Sequence, residues 1–179
     1  MKKILIICLL FSYAVHSQIM PERERAILKD EILANRFNEL LPVLMDENEI
    51  DMWVIISREY NEDPVMRTML PATWLNARRR TILVFYRDKQ LGTIEKLAVA
   101  RYDVGKNIQS AWNKEEQPDQ WKALVNIIEK RNPEKIGINT SEYFNIADGL
   151  VKTDYDAFKK ALPSEYEKKL VSAEGLAIA

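Results

Sequence analysis

The chain has 179 residues, nearly half of them apolar, which is enough for one domain with a real core and too short for two of ordinary size. Lys and Arg number 26 against 27 Asp and Glu, a balance that favours neither nucleic acid nor an anionic membrane as partner. Cys8 and His16 are the only cysteine and histidine, so the chain beyond residue 17 is without a disulfide framework, a thiol nucleophile, a catalytic imidazole or the usual zinc ligands.

Lys2 and Lys3, the apolar stretch Ile4 to Val15, and small Ser17 before Gln18 have the layout of a cleavable leader. The stretch is shorter than the ~20 apolar residues of a spanning helix. Residues 1–17 are therefore expected to be a signal peptide that directs the chain to a secreted or periplasmic location, leaving 18–179 as the folded domain. Cys8 is not expected to anchor a lipid, because bulky Ile7 stands where such a site needs a small residue. Removing the leader takes away Lys2 and Lys3, so 24 basic residues face 27 acidic ones and the net charge becomes minus three.

From Pro21 to Met45, Leu33, Phe37, Leu40, Leu41 and Leu44 recur at helical spacing and predict an amphipathic helix kinked or opened at Pro42. Such a helix normally covers its own sheet; a partner-binding face is the alternative. The run Met52 to Ile56 is apolar without interruption and predicts a strand covered on both faces. It empties into Arg58, Glu59, Tyr60, Asn61, Glu62 and Asp63, either a solvated turn or, since open α/β sheets place ligands beyond the carboxyl ends of their strands, a binding loop. Val65 to Ala77 is irregular, and its Met66, Met69, Leu70 and Trp74 must pack on this domain or wait for a partner.

Arg78-Arg79-Arg80 then leads into the strand Thr81 to Tyr86. Three arginines suggest anion binding, but on extended chain they alternate faces, so at most two are expected to share a site and a charged strand flank is the plainer account. Asp88, Lys89 and Gly92 supply turn chemistry, and Ile94 to Tyr102 reads as the returning strand of a hairpin. Asp103 to Glu116 is a polar connection. Pro118 is expected at the first position of a helix carrying Trp121, Leu124, Val125 and Ile128 inward and ending at Asn132-Pro133. Lys135 to Asn139 is a short strand reached by a crossover. After a loop around Phe144 and Ile146, Thr153 or Asp154 is expected to cap a helix that Pro163 stops, and Leu170 to Ala173 closes the chain as a last strand. This order predicts an α/β fold: a three-layer domain with a mixed β-sheet flanked by helices.

Carboxylates are the only strong acid or base groups left. Glu59, Glu62 and Asp63 together allow a hydrolytic pair if their environments split their pKa values, though loop acids are more often solvated. The five glycines are scattered, with no phosphate-cradling pattern, and no serine lies in a nucleophile elbow.

The run Ile50 to Pro64, the later Ala77 to Phe85, and Ile136-Gly137-Ile138-Asn139 with Phe144 and Ala147-Asp148-Gly149-Leu150 resemble the creatinase-type N-terminal domain of Xaa-Pro aminopeptidases and prolidases. The likeness extends from about Pro21 to Glu174. It implies a creatinase-like domain over 18–179, set in front of a pita-bread catalytic domain in which two divalent metal ions are held by two Asp, one His and two Glu. None of those catalytic motifs matches here, so no catalytic residue and no metal ligand is carried over, and no cofactor is expected in this chain. What the resemblance implies instead is indirect: shaping the cleft that admits short peptides, with contacts to the catalytic domain and across a homodimer. Arg58, Tyr60 and Asn61 are then the residues expected to touch substrate or the partner domain, Arg58 through a planar fork suited to a peptide carboxylate. The alternative is a free-standing secreted binding or assembly module without enzymatic activity, one that has lost its catalytic half.

Overall fold

The structure is a computed structural model that describes residues 19–179, so the expected leader lies outside the described residues. A mixed six-stranded sheet forms the middle layer: β1 (Met52–Arg58), β2 (Arg80–Asp88), β3 (Thr93–Val99), β4 (Gln109–Ser110), β5 (Ile136–Ile138) and β6 (Leu170–Ser172), in the spatial order β4-β3-β2-β1-β5-β6. Pairing is antiparallel on both sides of β2 and parallel elsewhere. Five strands therefore end at one edge of the sheet, where β2 begins. The expected three-layer α/β architecture is the one observed.

Strand β1 sits at the centre because its composition lets it bury both faces. Trp53 and Ile55 point into a core shared with Leu83 and Phe85 of β2, while Met52, Val54 and Ile56 point into a second core with Ile82 and Val84. Alternation along the pleat thus feeds two cores from one apolar run. The hairpin of β2 and β3 turns where Asp88 accepts from the main-chain amides of Gln90 and Leu91 and Gly92 takes the left-handed backbone (φ 67°) that a side chain disfavours.

The first core is covered by α1 (Glu22–Asn35), a π-helical segment (Arg36–Leu40) and α2 (Leu41–Glu47). Pro42 has no N–H to give to the turn before it, and the helix answers by widening there rather than breaking: Leu41 N–H bonds Arg36 O, five residues back. The wider turn rotates the inward face. Leu33, Phe37, Leu41 and Met45, four residues apart each time, are buried, whereas Leu40, expected inside from α-helical spacing, is 44 % exposed.

The second core is covered by α4 (Gln120–Arg131) and α5 (Lys152–Ala161). Helix α4 starts two residues later than Pro118 suggests: Asp119 caps it, accepting from the amides of Trp121 and Lys122. Asn132, left-handed at φ 44°, ends it as expected. Several short elements escape the sequence reading, two of them near the site. β4 lies inside the polar connection, and α3 (Pro64–Thr68) lies inside the irregular stretch. Met66, Met69 and Leu70 are buried against the first core and Trp74 packs on it, so this stretch lines its own domain. The short α6 (Ser164–Glu167) and α7 (Glu174–Ile178) flank β6. No helix among the described residues is long and apolar enough to cross a membrane.

Candidate functional site

The edge where β1, β3, β5 and β6 end collects the polar residues that sequence reading singled out. After Ser57 the chain leaves the sheet through a tight turn: Asn61 N–H donates to Arg58 O (3.1 Å), and Tyr60 at its tip has a left-handed backbone, φ 67°. That conformation is unfavourable for an aromatic residue. It persists because both flanks are tied: Tyr60 N–H donates to the Glu62 carboxylate (3.0 Å), and Glu59 accepts from Arg79 N–H (3.1 Å). Tyr60 itself projects, 88 % exposed.

Beneath this turn lies a buried chain of hydrogen bonds. Trp53 Nε1–H donates to Asn139 Oδ1 (2.8 Å), and Asn139 Nδ2–H donates to Asp63 Oδ2 (2.8 Å). The other Asp63 oxygen caps α3 by accepting from Val65 N–H (2.7 Å) and Met66 N–H, while Asp63 N–H donates to Ser57 Oγ (3.0 Å). Asp63 and Asn139 are each 1 % exposed. A buried polar network holds only when its members are satisfied, and here they are. Gly149 is required alongside: a Cβ there would stand 2.2 Å from Asp63 Cγ.

The three loop carboxylates are thus not arranged as an acid–base pair. Each holds a main-chain amide of its own, and a carboxylate pair poised for hydrolysis is not formed. Burial pushes the Asp63 carboxyl above its ordinary value, outweighing the hydrogen bonds from Asn139, Val65 and Met66 that favour the anion. Because the folded value is raised, the stability that Asp63 contributes by titration is complete below the unfolded value of ~3.9 and declines as pH rises through the folded one. The stability of wild type relative to Asp63→Asn should therefore fall as pH is raised from about 3.5 toward neutrality. Denaturant titrations across that range would check this, and a wild type that gains stability relative to the variant as pH rises would contradict it.

Arg58 is held elsewhere. Its guanidinium makes a two-pronged contact with Asp154, Nε–H to Oδ2 and Nη2–H to Oδ1, both 2.7 Å, and that bond raises its pKa further. Asp154 also lies 3.2 Å from Arg80 Nε, an ion-pair distance without hydrogen-bond alignment, and the Arg80 guanidinium stacks on Trp121 at 4.6 Å. The expectation that Asp154 or Thr153 caps α5 is corrected: Val151 occupies the cap position, with no side-chain hydrogen bond, and Asp154 is fully buried inside the first turn. The sequence did carry a signal for this. Asp154 stands four residues before Phe158 on the apolar face of α5, and a lone carboxylate on an inward face needs a cation.

Of the three residues expected to touch substrate or a partner domain, Arg58 is engaged with Asp154, Asn61 closes the turn through its main chain, and Tyr60 points outward. The arginine triplet departs from expectation more sharply. Arg79 is left-handed (φ 54°), which breaks strand alternation and brings Arg78, Arg79 and Arg80 to one pocket, joined there by Arg101 from beyond β3.

No family model matches the chain, and no curated protein does. Among solved structures it is similar to a Xaa-Pro dipeptidase from Bacillus anthracis, at 18 % identity over 84 % of this chain and 34 % of that one, with a TM-score of 0.44. The chain thus spans about a third of the length of that enzyme, and a likeness this loose assigns no residue a role.

Proposed function

We propose that the chain is a non-catalytic domain of a secreted metallopeptidase of the Xaa-Pro aminopeptidase and prolidase kind, where it shapes peptide access to a pita-bread catalytic domain, in cis or in trans, and contributes dimer contacts. The observation that carries this reading is the use made of the polar edge: Arg58, Glu59, Glu62 and Asp63 hold the loop in place, and Tyr60, 88 % exposed, projects from a strained turn. Strain of that kind persists where a side chain is presented for contact. The motifs from Ile50 to Pro64 and from Ala77 to Phe85, and the helix-flanked mixed sheet that bears them, support the same assignment. The two divalent metal ions of such an enzyme then belong to the catalytic domain.

In the chain joined to such a catalytic domain, Tyr60→Ala is expected to raise KM for Xaa-Pro dipeptides several-fold with kcat little changed, the signature of lost uniform binding. Steady-state kinetics would show it; unaltered KM together with unaltered dimerisation would overturn the reading. The alternative of a free-standing binding module draws support from the arginine pocket, where Arg78, Arg79 and Arg101 form no ion pair among the described residues.

A further inference from the structure

We propose that the pocket between the start of β2 and the end of β3 binds the carboxylate of a peptide segment. Arg78, Arg79, Arg80 and Arg101 line it together with Trp74 and Trp112, and no Asp or Glu is among its lining residues. Only Arg80 has a carboxylate partner, Asp154, which it shares with Arg58; among the described residues Arg78, Arg79 and Arg101 form no ion pair. Residues 1–18 contain no Asp or Glu that might supply one. Three arginines without an ion pair at one concave site attract an anion.

The guanidiniums are also pre-arranged. That of Arg78 lies 4.9 Å from the ring centre of Trp74 and 5.9 Å from that of Tyr102, cation–π distances that hold it near both rings. The left-handed backbone of Arg79, tied by the Glu59 carboxylate to its main-chain N–H, keeps three successive arginines at one mouth. Gln120 braces the base, donating to Arg80 O (3.1 Å) and Val99 O (2.6 Å) across the ends of β2 and β3.

Size narrows the ligand. The cavity measures about 170 Å³, less than the ~300–1,000 Å³ of sites that enclose a whole small molecule. It takes a head group, with the rest of the ligand lying outside against the indole walls. A carboxylate meets arginine forks two bonds at a time. The choice of a peptide carboxylate over inorganic phosphate rests on the accessory-domain reading above; the anion chemistry of the pocket does not.

The test is titration of the full chain, followed by tryptophan fluorescence from Trp74 and Trp112, with four probes: a short neutral peptide with a free carboxyl terminus, the same peptide amidated, an amidated peptide carrying one Glu, and inorganic phosphate. A saturable change with a carboxylate-bearing peptide, absent with the neutral amidated one, is expected, and the free-terminus and Glu probes identify which carboxylate is preferred. Arg78→Gln and Arg101→Gln should each weaken it about tenfold or more, with the unfolding midpoint unmoved. Binding should also fall with added salt. No saturable response to either carboxylate peptide, a response to phosphate alone, or a response that survives both substitutions would overturn the proposal. The Tyr60→Ala kinetics can fail while this binding stands, and the reverse, so the two readings are separable.

Discussion

Truncating Trp53 to Ala is expected to cost ~3–5 kcal/mol of unfolding free energy. The indole is 1 % exposed and packs against Phe85, ring centres 5.9 Å apart, with Phe37 on the far side of Phe85 at 5.3 Å. Its removal opens a cavity under the central strand and also strips Asn139 Oδ1 of its donor. The two losses can be separated, because Trp53→Phe keeps most of the packing and removes the N–H. An unsatisfied buried acceptor costs about 1–3 kcal/mol, so the Phe variant should fall between wild type and the Ala variant. Urea unfolding measures both. A Trp53→Ala protein within about 1 kcal/mol of wild type would remove Trp53 from the core and the network together.

The second large effect is expected at Asp154. Replacing it with Ala leaves the Arg58 and Arg80 guanidiniums facing each other without the anion between them. Breaking a buried pair by removing one partner typically costs ~3–5 kcal/mol. The figure here belongs at the lower end, about 3 kcal/mol, since the arginine side chains are 40 % and 29 % exposed and regain some water. Arg58→Ala should cost less than Asp154→Ala, because Arg80 remains to compensate the buried carboxylate. A double-mutant cycle by chemical denaturation checks the order; additive effects would mean that Arg58 and Asp154 are not coupled.

The sheet was legible because its determinants are local. An unbroken apolar run can lie only where both faces are covered, and Met52 to Ile56 does; Asp88 through Gly92 has the chemistry of a turn, and a turn is what forms. What sequence reading missed depends on partners far along the chain. Leu33, Phe37 and Leu41 face inward as expected, but that Leu40 turns out and Met45 in follows from a π-helical segment that spacing at 3.6 residues cannot express. β4 is two residues long, too short for a periodic pattern. Asp154 was read as a cap because capping is a local role, whereas its partners Arg58 and Arg80 are 96 and 74 residues away in sequence. The polar loop itself was recognised as distinctive, but its groups turned out to bind the main chain and the interior. The pocket was obscured by a single backbone angle, that of Arg79.

The proposed role of the carboxyl edge of this sheet is scaffolding for contact, with bond-breaking chemistry supplied by another domain. Its most direct test is a hydrolysis assay on the purified chain by itself, with a Xaa-Pro dipeptide and manganese, cobalt or zinc ions in turn. No turnover above the buffer control is the predicted result. Hydrolysis that tracks the protein through successive purification steps and is abolished by Glu62→Gln or Asp63→Asn would contradict it.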